Sequence, residues 1–185
     1  RLSELTAAYA ALAADGRRIQ PYLVETIRTR GGEVLYRRDD PAPALAVARE
    51  HAESLSTMLQ SVVSEGTGQR ADLDTRQAAG KTGTSQNSRD AWFIGYTAQY
   101  TAGVWVGHDD DRPMDGVTGG GAPALIWRDF MAIAHRNLPE EPLSAPPPRR
   151  RGEREERLAA FYSLLSADFA EIADPSSDLA AAPPR

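Results

Sequence analysis

The sequence predicts a mixed α/β domain in which an antiparallel sheet carries helices on both faces. The segments 91–96 and 101–106 are strand-like apolar runs joined by a short connection, which makes neighbouring strands antiparallel. Apolar side chains occupy both alternating sets of positions in these runs, so we expect both faces of the sheet to be covered. Apolar stripes with helical spacing lie before and after the strands and supply the covering helices.

Composition and charge exclude several classes of protein. The 185 residues are 41% hydrophobic and 25% charged, which is typical of one globular domain. The net charge of −5 and the lack of a long basic face argue against a nucleic-acid partner. The chain has no cysteine, and no metal or other cofactor is predicted. Because residue 1 is Arg, we expect a longer protein, with any membrane anchor upstream of this chain.

The first third of the chain predicts a helix followed by a surface hairpin. Ser3 is the expected cap of the helix, and Asp15-Gly16 is its expected end. Alternating side chains over 21–38, interrupted by Gly31-Gly32, predict a β-hairpin closed by a two-glycine turn. The helical stripe consists of Leu5, Ala8, Tyr9 and Leu12.

Two further helices flank the predicted strands. The first spans 50–64 and ends at Gly66, and the second begins at Pro123, a residue that suits a first helical turn. We expect the second helix to pack a broad apolar face on the sheet. The stripe of the first helix is Leu55, Met58, Leu59, Val62 and Val63. The face of the second comprises Ile126, Phe130, Ile133 and Ala134, with Trp127 and Met131 beside them.

Composition changes at Pro139, which predicts two regions. Residues 1–138 form the globular domain, and residues 139–185 form a proline- and arginine-rich linker and a mostly disordered tail. One short helical stripe lies within that tail, at 158–169.

The stretch 79–85, Ala-Gly-Lys-Thr-Gly-Thr-Ser, is the candidate site. Its ammonium and hydroxyls are suited to binding a carboxylate, and its glycines permit close approach. A phosphate loop is a second interpretation, but Thr75 occupies the place of its first glycine and no helix follows Lys81. A solvated lysine on an exposed strand is a third.

Context favours the carboxylate-binding interpretation. Lys-Thr-Gly is one of the motifs of penicillin-binding proteins and class A β-lactamases. Here Lys81-Thr82-Gly83-Thr84 precedes Arg-Asp-Ala-Trp-Phe-Ile-Gly-Tyr at 89–96, Gly-Val-Trp-Val-Gly at 103–107 and Thr-Gly-Gly-Gly-Ala at 118–122. With the Glu-Gly-Thr-Gly loop at 65–68, this order closely resembles the C-terminal half of the transpeptidase domain of class A (bifunctional) penicillin-binding proteins. The resemblance covers about residues 2–138.

The resemblance implies part of a serine-type peptidoglycan DD-transpeptidase, with a partial penicillin-binding-protein/β-lactamase-like fold. Lys81, Thr82, Gly83 and Thr84 would bind the substrate, with Lys81 also serving proton transfer and the Thr84 N–H serving as an oxyanion-hole donor. The implied partners are peptidoglycan stem peptides, β-lactams and the N-terminal half of the parent protein. A fused glycosyltransferase and a location on the periplasmic side of the bacterial inner membrane are also implied.

The nucleophile is expected outside this chain. No serine in residues 1–138 is followed three residues later by lysine, so the family's S-x-x-K motif is absent there. Ser85-Gln86-Asn87 spells S-x-N, but it lies after Lys81 rather than before it, and we interpret it as a coincidence. The alternative function is a non-catalytic remnant or interaction module that keeps the same sheet.

Three other polar groups are weaker candidates. Asp109 to Asp111, beside His108, could bind a cation, but a turn at the strand end is the favoured interpretation. Residues 118–122 could bind an anion at a helix N-terminus, and here a tight turn is favoured. His51 and His135 are expected on helices, at surface or half-buried positions without obvious partners.

Overall fold

The computed structural model describes residues 1–39 and 42–145, and it confirms the predicted mixed α/β fold. The stripe at 158–169 and most of the predicted linker and tail lie outside the described residues. Short 3-10 turns occupy Gln69–Ala71 and Gln86–Ser88. The other elements are α1 (Leu2–Ala13), β1 (Thr26–Arg28), β2 (Val34–Arg37), α2 (Arg49–Ser64), β3 (Ala79–Thr84), β4 (Asp90–Tyr96), β5 (Thr101–Gly107) and α3 (Ala122–Ala134).

The main sheet is antiparallel with the strand order β3-β4-β5, as the short connections predict. Gly83 pairs with Trp92, and Trp92 pairs in turn with Trp105. In the part of the chain that the structure describes, β3 and β5 are therefore the two edge strands.

Helices cover both faces of this sheet. On one face the Trp127 ring of α3 meets Phe93 edge-on at 5.2 Å between centroids. The Trp127 indole N–H donates to the carbonyls of Gly95 and Ala102, at 3.2 and 3.1 Å. On the other face, Tyr96 and Ala79 are buried against side chains of α1 and α2. Alternate residues of each strand thus enter two different cores.

The orientation predicted for α3 was partly wrong. Trp127 and Met131 are fully buried, but Ile126, Phe130 and Ile133 are each at least half exposed. The indole N–H must reach carbonyl acceptors once it is buried, and this fixes the rotation of the helix about its axis.

The buried face of α2 also differs from the predicted stripe. Val63 is buried and Leu59 is partly buried, whereas Leu55 and Met58 are exposed. Ala52 of α2 is completely buried, and a residue this small lets the helix approach its neighbours closely. Ser56 is also buried, because its hydroxyl hydrogen-bonds the Tyr96 hydroxyl at 2.8 Å.

Helix α1 ends where the sequence predicts but begins earlier than expected. Asp15 and Gly16 both have positive φ, and a side chain on Gly16 would collide with the Val47 carbonyl. Ser3 is not the cap, because the backbone is already helical at Leu2 and the Leu5 N–H bonds the Arg1 carbonyl.

The predicted hairpin is confirmed, with β1 and β2 forming a separate two-stranded sheet. Its turn is closed by the Thr29 N–H, which donates to the Glu33 carbonyl at 2.8 Å. Of the two glycines only Gly32 has positive φ, so the turn requires one glycine rather than two.

Packing continues beyond Leu138. Leu143 is buried beside Ala79 and Tyr96, and its backbone N–H donates to the Gln77 side chain at 2.9 Å. The division into regions 1–138 and 139–185 stays a prediction. Of the helices in the described residues, none is long and apolar enough to cross a bilayer.

Candidate active site

The Lys-Thr-Gly-Thr stretch lies on β3, whose outer edge is free in the described residues. Its four residues pair with β4 on one side only, at Ile94, Phe93, Trp92 and Ala91 in turn. A free edge exposes backbone N–H and C=O groups that an extended peptide can pair with.

Lys81 and the two threonines point to opposite faces of β3, as alternation predicts. The lysine side chain turns back along the strand, because its ammonium donates to the backbone carbonyl of Thr82 at 2.9 Å. Lys81 is exposed, and within residues 1–39 and 42–145 it forms no ion pair with a carboxylate. Its charge is therefore available to an anionic ligand.

Lys81 is also the single lysine in the sequence, since every other one of the 21 lysines and arginines is an arginine. A lysine ammonium is a compact point charge that can also transfer a proton, whereas a guanidinium stays charged. The chain thus places its one cation of this chemistry at the centre of the candidate site.

Two loops meet the threonine face of β3. The first is the loop 65–68 after α2, whose Thr67 hydroxyl lies 2.7 Å from the Thr82 hydroxyl. The second is the turn 118–121 before α3, where the Gly119 N–H donates to the Thr84 hydroxyl at 3.0 Å. Each threonine hydroxyl of the candidate site therefore has one hydrogen-bond partner in a neighbouring loop.

Glycine is required in the second loop because the backbones pack so closely. A Cβ on Gly119 would lie 2.5 Å from the Gly83 carbonyl oxygen. A Cβ on Gly120 would lie 2.2 Å from the Thr67 carbonyl oxygen. Real side chains do not tolerate such distances, so the turn can seat against β3 and the first loop only with glycine at these positions.

The sequence identifies Lys81 to Thr84 through their motif but indicates no role for Thr67 or Gly119. Both lie in the small-residue runs Gly66-Thr67-Gly68 and Gly119-Gly120-Gly121, which contribute to the family resemblance but contain no residue with an implied role. A run of small residues was the available signal, since it marks places where backbones approach closely.

The S-x-N stretch after β3 has a structural role. The Ser85 hydroxyl accepts the Asp90 N–H at 2.7 Å, and the Ser85 N–H donates to the Asp90 carbonyl at 2.9 Å. Asn87 and Ser88 have positive φ in the turn that connects β3 to β4. These contacts close the hairpin between β3 and β4.

Two of the three aspartates after β5 form ion pairs with arginines. Asp111 pairs with Arg89 at 3.1 Å, and Asp110 lies 3.5 Å from Arg112. Across residues 1–39 and 42–145, no cluster of histidine or acidic side chains could hold a metal ion. The tight turn expected at 118–122 is confirmed by the Gly121 N–H, which donates to the Thr118 carbonyl.

The prediction for His135 was wrong. Its side chain is buried, with Nε2 2.9 Å from the Thr97 hydroxyl and Nδ1 2.7 Å from the Met131 carbonyl. Its ring also meets the Tyr100 ring edge-on at 5.1 Å between centroids. His135 therefore links the end of α3 to Thr97 and Tyr100 in the β4–β5 connection, which are distant from it in sequence.

A sheet with helices on both faces, carrying Lys-Thr-Gly on an edge strand, defines the penicillin-recognising class of serine acyl-transfer domains. The model of the penicillin binding protein transpeptidase domain matches residues 2–132. The chain belongs to this family.

Similar proteins agree on this family. Penicillin-binding protein 1A of Aquifex aeolicus is 37% identical over 78% of this chain, and that of Rickettsia bellii is 34% identical over 78%. Among solved structures, PonA1 of Mycobacterium tuberculosis has a TM-score of 0.72 and 26% identity over 82% of this chain and 45% of its own. Penicillin-binding protein 1A of Haemophilus influenzae has a TM-score of 0.69 and 26% identity over 78% of this chain and 28% of its own. The chain spans only 20% and 21% of the Aquifex and Rickettsia relatives.

Proposed function

We propose that this chain supplies the carboxylate-binding wall of a serine-type peptidoglycan DD-transpeptidase. The observation that carries the proposal is the group on β3, an edge strand within the described residues, where the exposed Lys81 ammonium and the Thr82 and Thr84 hydroxyls lie on one strand. A carboxylate matches this group, because an ammonium and two hydroxyls offer charge and hydrogen-bond donors without a competing acid.

In this proposal the substrate is a stem peptide ending in D-Ala-D-Ala, bound as an added strand along β3. Gly83 lies between the two threonines of the strand along which the peptide would run. Lys81 and the two threonine hydroxyls bind the terminal carboxylate. The Thr84 N–H donates to the oxygen that becomes negative in the tetrahedral intermediate.

The serine nucleophile and the base that accepts its proton lie in the upstream part of the protein. Serine attack on the penultimate carbonyl breaks the peptide bond and releases D-Ala, whose nitrogen takes up a proton. An amine of a neighbouring stem then attacks the acyl ester, restores the serine and completes the cross-link. β-Lactams acylate the same serine because their carboxylate and strained amide occupy the same positions.

In this proposal the protein lies outside the cytoplasmic membrane, held there by an upstream anchor and joined to a glycosyltransferase. Its partners are peptidoglycan stem peptides, β-lactams and the N-terminal half of its parent protein. The support is the similarity to proteins named penicillin-binding protein 1A, of which this chain matches about a fifth.

Acylation by a labelled penicillin, followed by peptide mapping, tests the proposal. The full-length protein should be labelled on a serine upstream of residue 1, within an S-x-x-K motif, and the 185-residue chain should not be labelled. A label on a serine within these 185 residues would contradict the placement of the nucleophile. Complete absence of label on the full-length protein would favour a non-catalytic module.

A further inference from the structure

Thr67 is held more firmly than its exposure suggests. The glycines on either side of it pack tightly, since a Cβ on Gly66 would lie 2.8 Å from the Val62 Cα and one on Gly68 would lie 3.1 Å from the Phe93 ring. The Gly68 N–H also donates to the Val62 carbonyl at 2.8 Å. The backbone of the loop is therefore held against α2 at Gly66 and against α2 and Phe93 at Gly68, which fixes the Cα of Thr67 between them.

The hydrogen bond between Thr67 and Thr82 has a direction that depends on what Thr82 binds. A hydroxyl has one proton to donate and two lone pairs that accept. If Thr82 donates to a ligand carboxylate, it must accept the proton of Thr67 across their 2.7 Å contact. The Thr67 hydroxyl then aims the Thr82 proton away from the loop and polarises it, which strengthens the bond to the carboxylate.

The Thr84 hydroxyl also has a hydrogen-bond partner in a neighbouring loop. Its oxygen already accepts the Gly119 N–H at 3.0 Å, which leaves its proton free for a ligand. When Thr82 donates to a ligand, both hydroxyls of the strand therefore accept a hydrogen bond from a neighbouring loop, one from a side chain and one from the backbone. Of these two donors, Thr67 is the one that a side-chain substitution can remove.

We propose that Thr67 is a positioning residue that orients the Thr82 hydroxyl for the ligand carboxylate. This inference rests on the proposed function, in which Thr82 binds that carboxylate. Thr67 itself lies behind the site and acts only through Thr82. Its contribution appears with ligands that carry the carboxylate and disappears with ligands that lack it.

The test measures the second-order rate constant for acylation of the full-length protein by a penicillin and by the methyl ester of the same penicillin. Thr67→Val should acylate about threefold to tenfold more slowly with the free acid, the effect of one ordinary hydrogen bond. The same variant should show an unchanged rate with the ester, and Thr67→Ser should restore the rate with the acid. Thr57→Val is the matched control, because its hydroxyl bonds the Glu53 carbonyl within α2, away from the site, and its rate should not change.

A double-mutant cycle separates positioning from structural damage. Once Thr82→Val has removed the acceptor, Thr67→Val should cause no further loss, since its effect passes through Thr82. Additive losses, an equal loss with the ester, or a wild-type rate for Thr67→Val would each overturn the inference. Lys81→Ala is measured alongside: a loss there with no loss at Thr67 refutes this inference alone, whereas no loss at Lys81 refutes the proposed function.

Discussion

The two antiparallel sheets of this molecule differ in what covers them. The β1–β2 hairpin is exposed along its length, with Leu35 at 64% and Tyr36 at 46% of full exposure. In the β3–β4–β5 sheet, Phe93 and Tyr96 are completely buried, each beneath a different helical layer. The candidate site lies on the covered sheet. Groups that must hold a ligand in one geometry need strands and loops that packing keeps in place.

The largest expected difference between the two sheets is the cost of removing a side chain. Trp127→Ala should lower the free energy of unfolding of the transpeptidase domain by about 3–5 kcal/mol, because it leaves a cavity over Phe93 and two carbonyls without their donor. Leu35→Ala in the hairpin should change it by less than about 0.5 kcal/mol. Denaturant unfolding of both variants measures the contrast, and similar losses would show that the hairpin is packed against something.

Replacing a glycine by alanine should have different effects at the candidate site and in the hairpin. Gly120→Ala should destabilise the domain by about 1–3 kcal/mol and slow acylation, because its Cβ collides with the Thr67 carbonyl and displaces the loop from β3. Gly31→Ala is the matched control, since the hairpin has no atom within 3.7 Å of that Cβ and the residue lacks positive φ. A Gly120→Ala protein as stable and as reactive as the control would mean that the two loops need not touch.

The smallest expected effect concerns alkaline pH. Burial raises the pKa of Tyr96, and it also raises that of Tyr9 on α1. The native state then keeps these protons at pH values where the unfolded chain, with a tyrosine pKa of about 10, has lost them. The free energy of unfolding should therefore decline as pH rises above about 10, and Tyr96→Phe should make the decline shallower by removing one of these groups. Identical slopes for Tyr96→Phe and wild type, from denaturant unfolding at several pH values, would contradict this.

The strands could be predicted from sequence because their apolar positions are local signals. The orientation of the helices could not, since periodicity identifies an apolar stripe but not its partner. In α3 the stripe Ile126, Phe130 and Ile133 lies outside while Trp127 faces the sheet, a choice fixed by carbonyls on β4 and β5. His135 was misplaced for a related reason, because its partner Thr97 is distant in sequence.

The candidate site likewise contains residues that could be predicted from the sequence and one that could not. Lys81, Thr82 and Thr84 could be identified because they are consecutive and match a motif. Thr67 could not, because its bond to Thr82 joins a loop and a strand that are 15 residues apart and meet only after folding. Short runs of glycine beside a threonine were visible in the sequence, but only the structure shows what they approach.

The rate of acylation of Lys81→Ala by penicillin, measured on the full-length protein, tests the central claim most directly. Losing a charged hydrogen-bond donor to the carboxylate costs about 1.5–3 kcal/mol, so the second-order rate constant should fall about tenfold to a hundredfold with the fold intact. Arg28→Ala, which removes a positive charge from the hairpin, should acylate at the wild-type rate. An unchanged rate in Lys81→Ala would contradict the claim and leave Lys81 as a solvated strand residue.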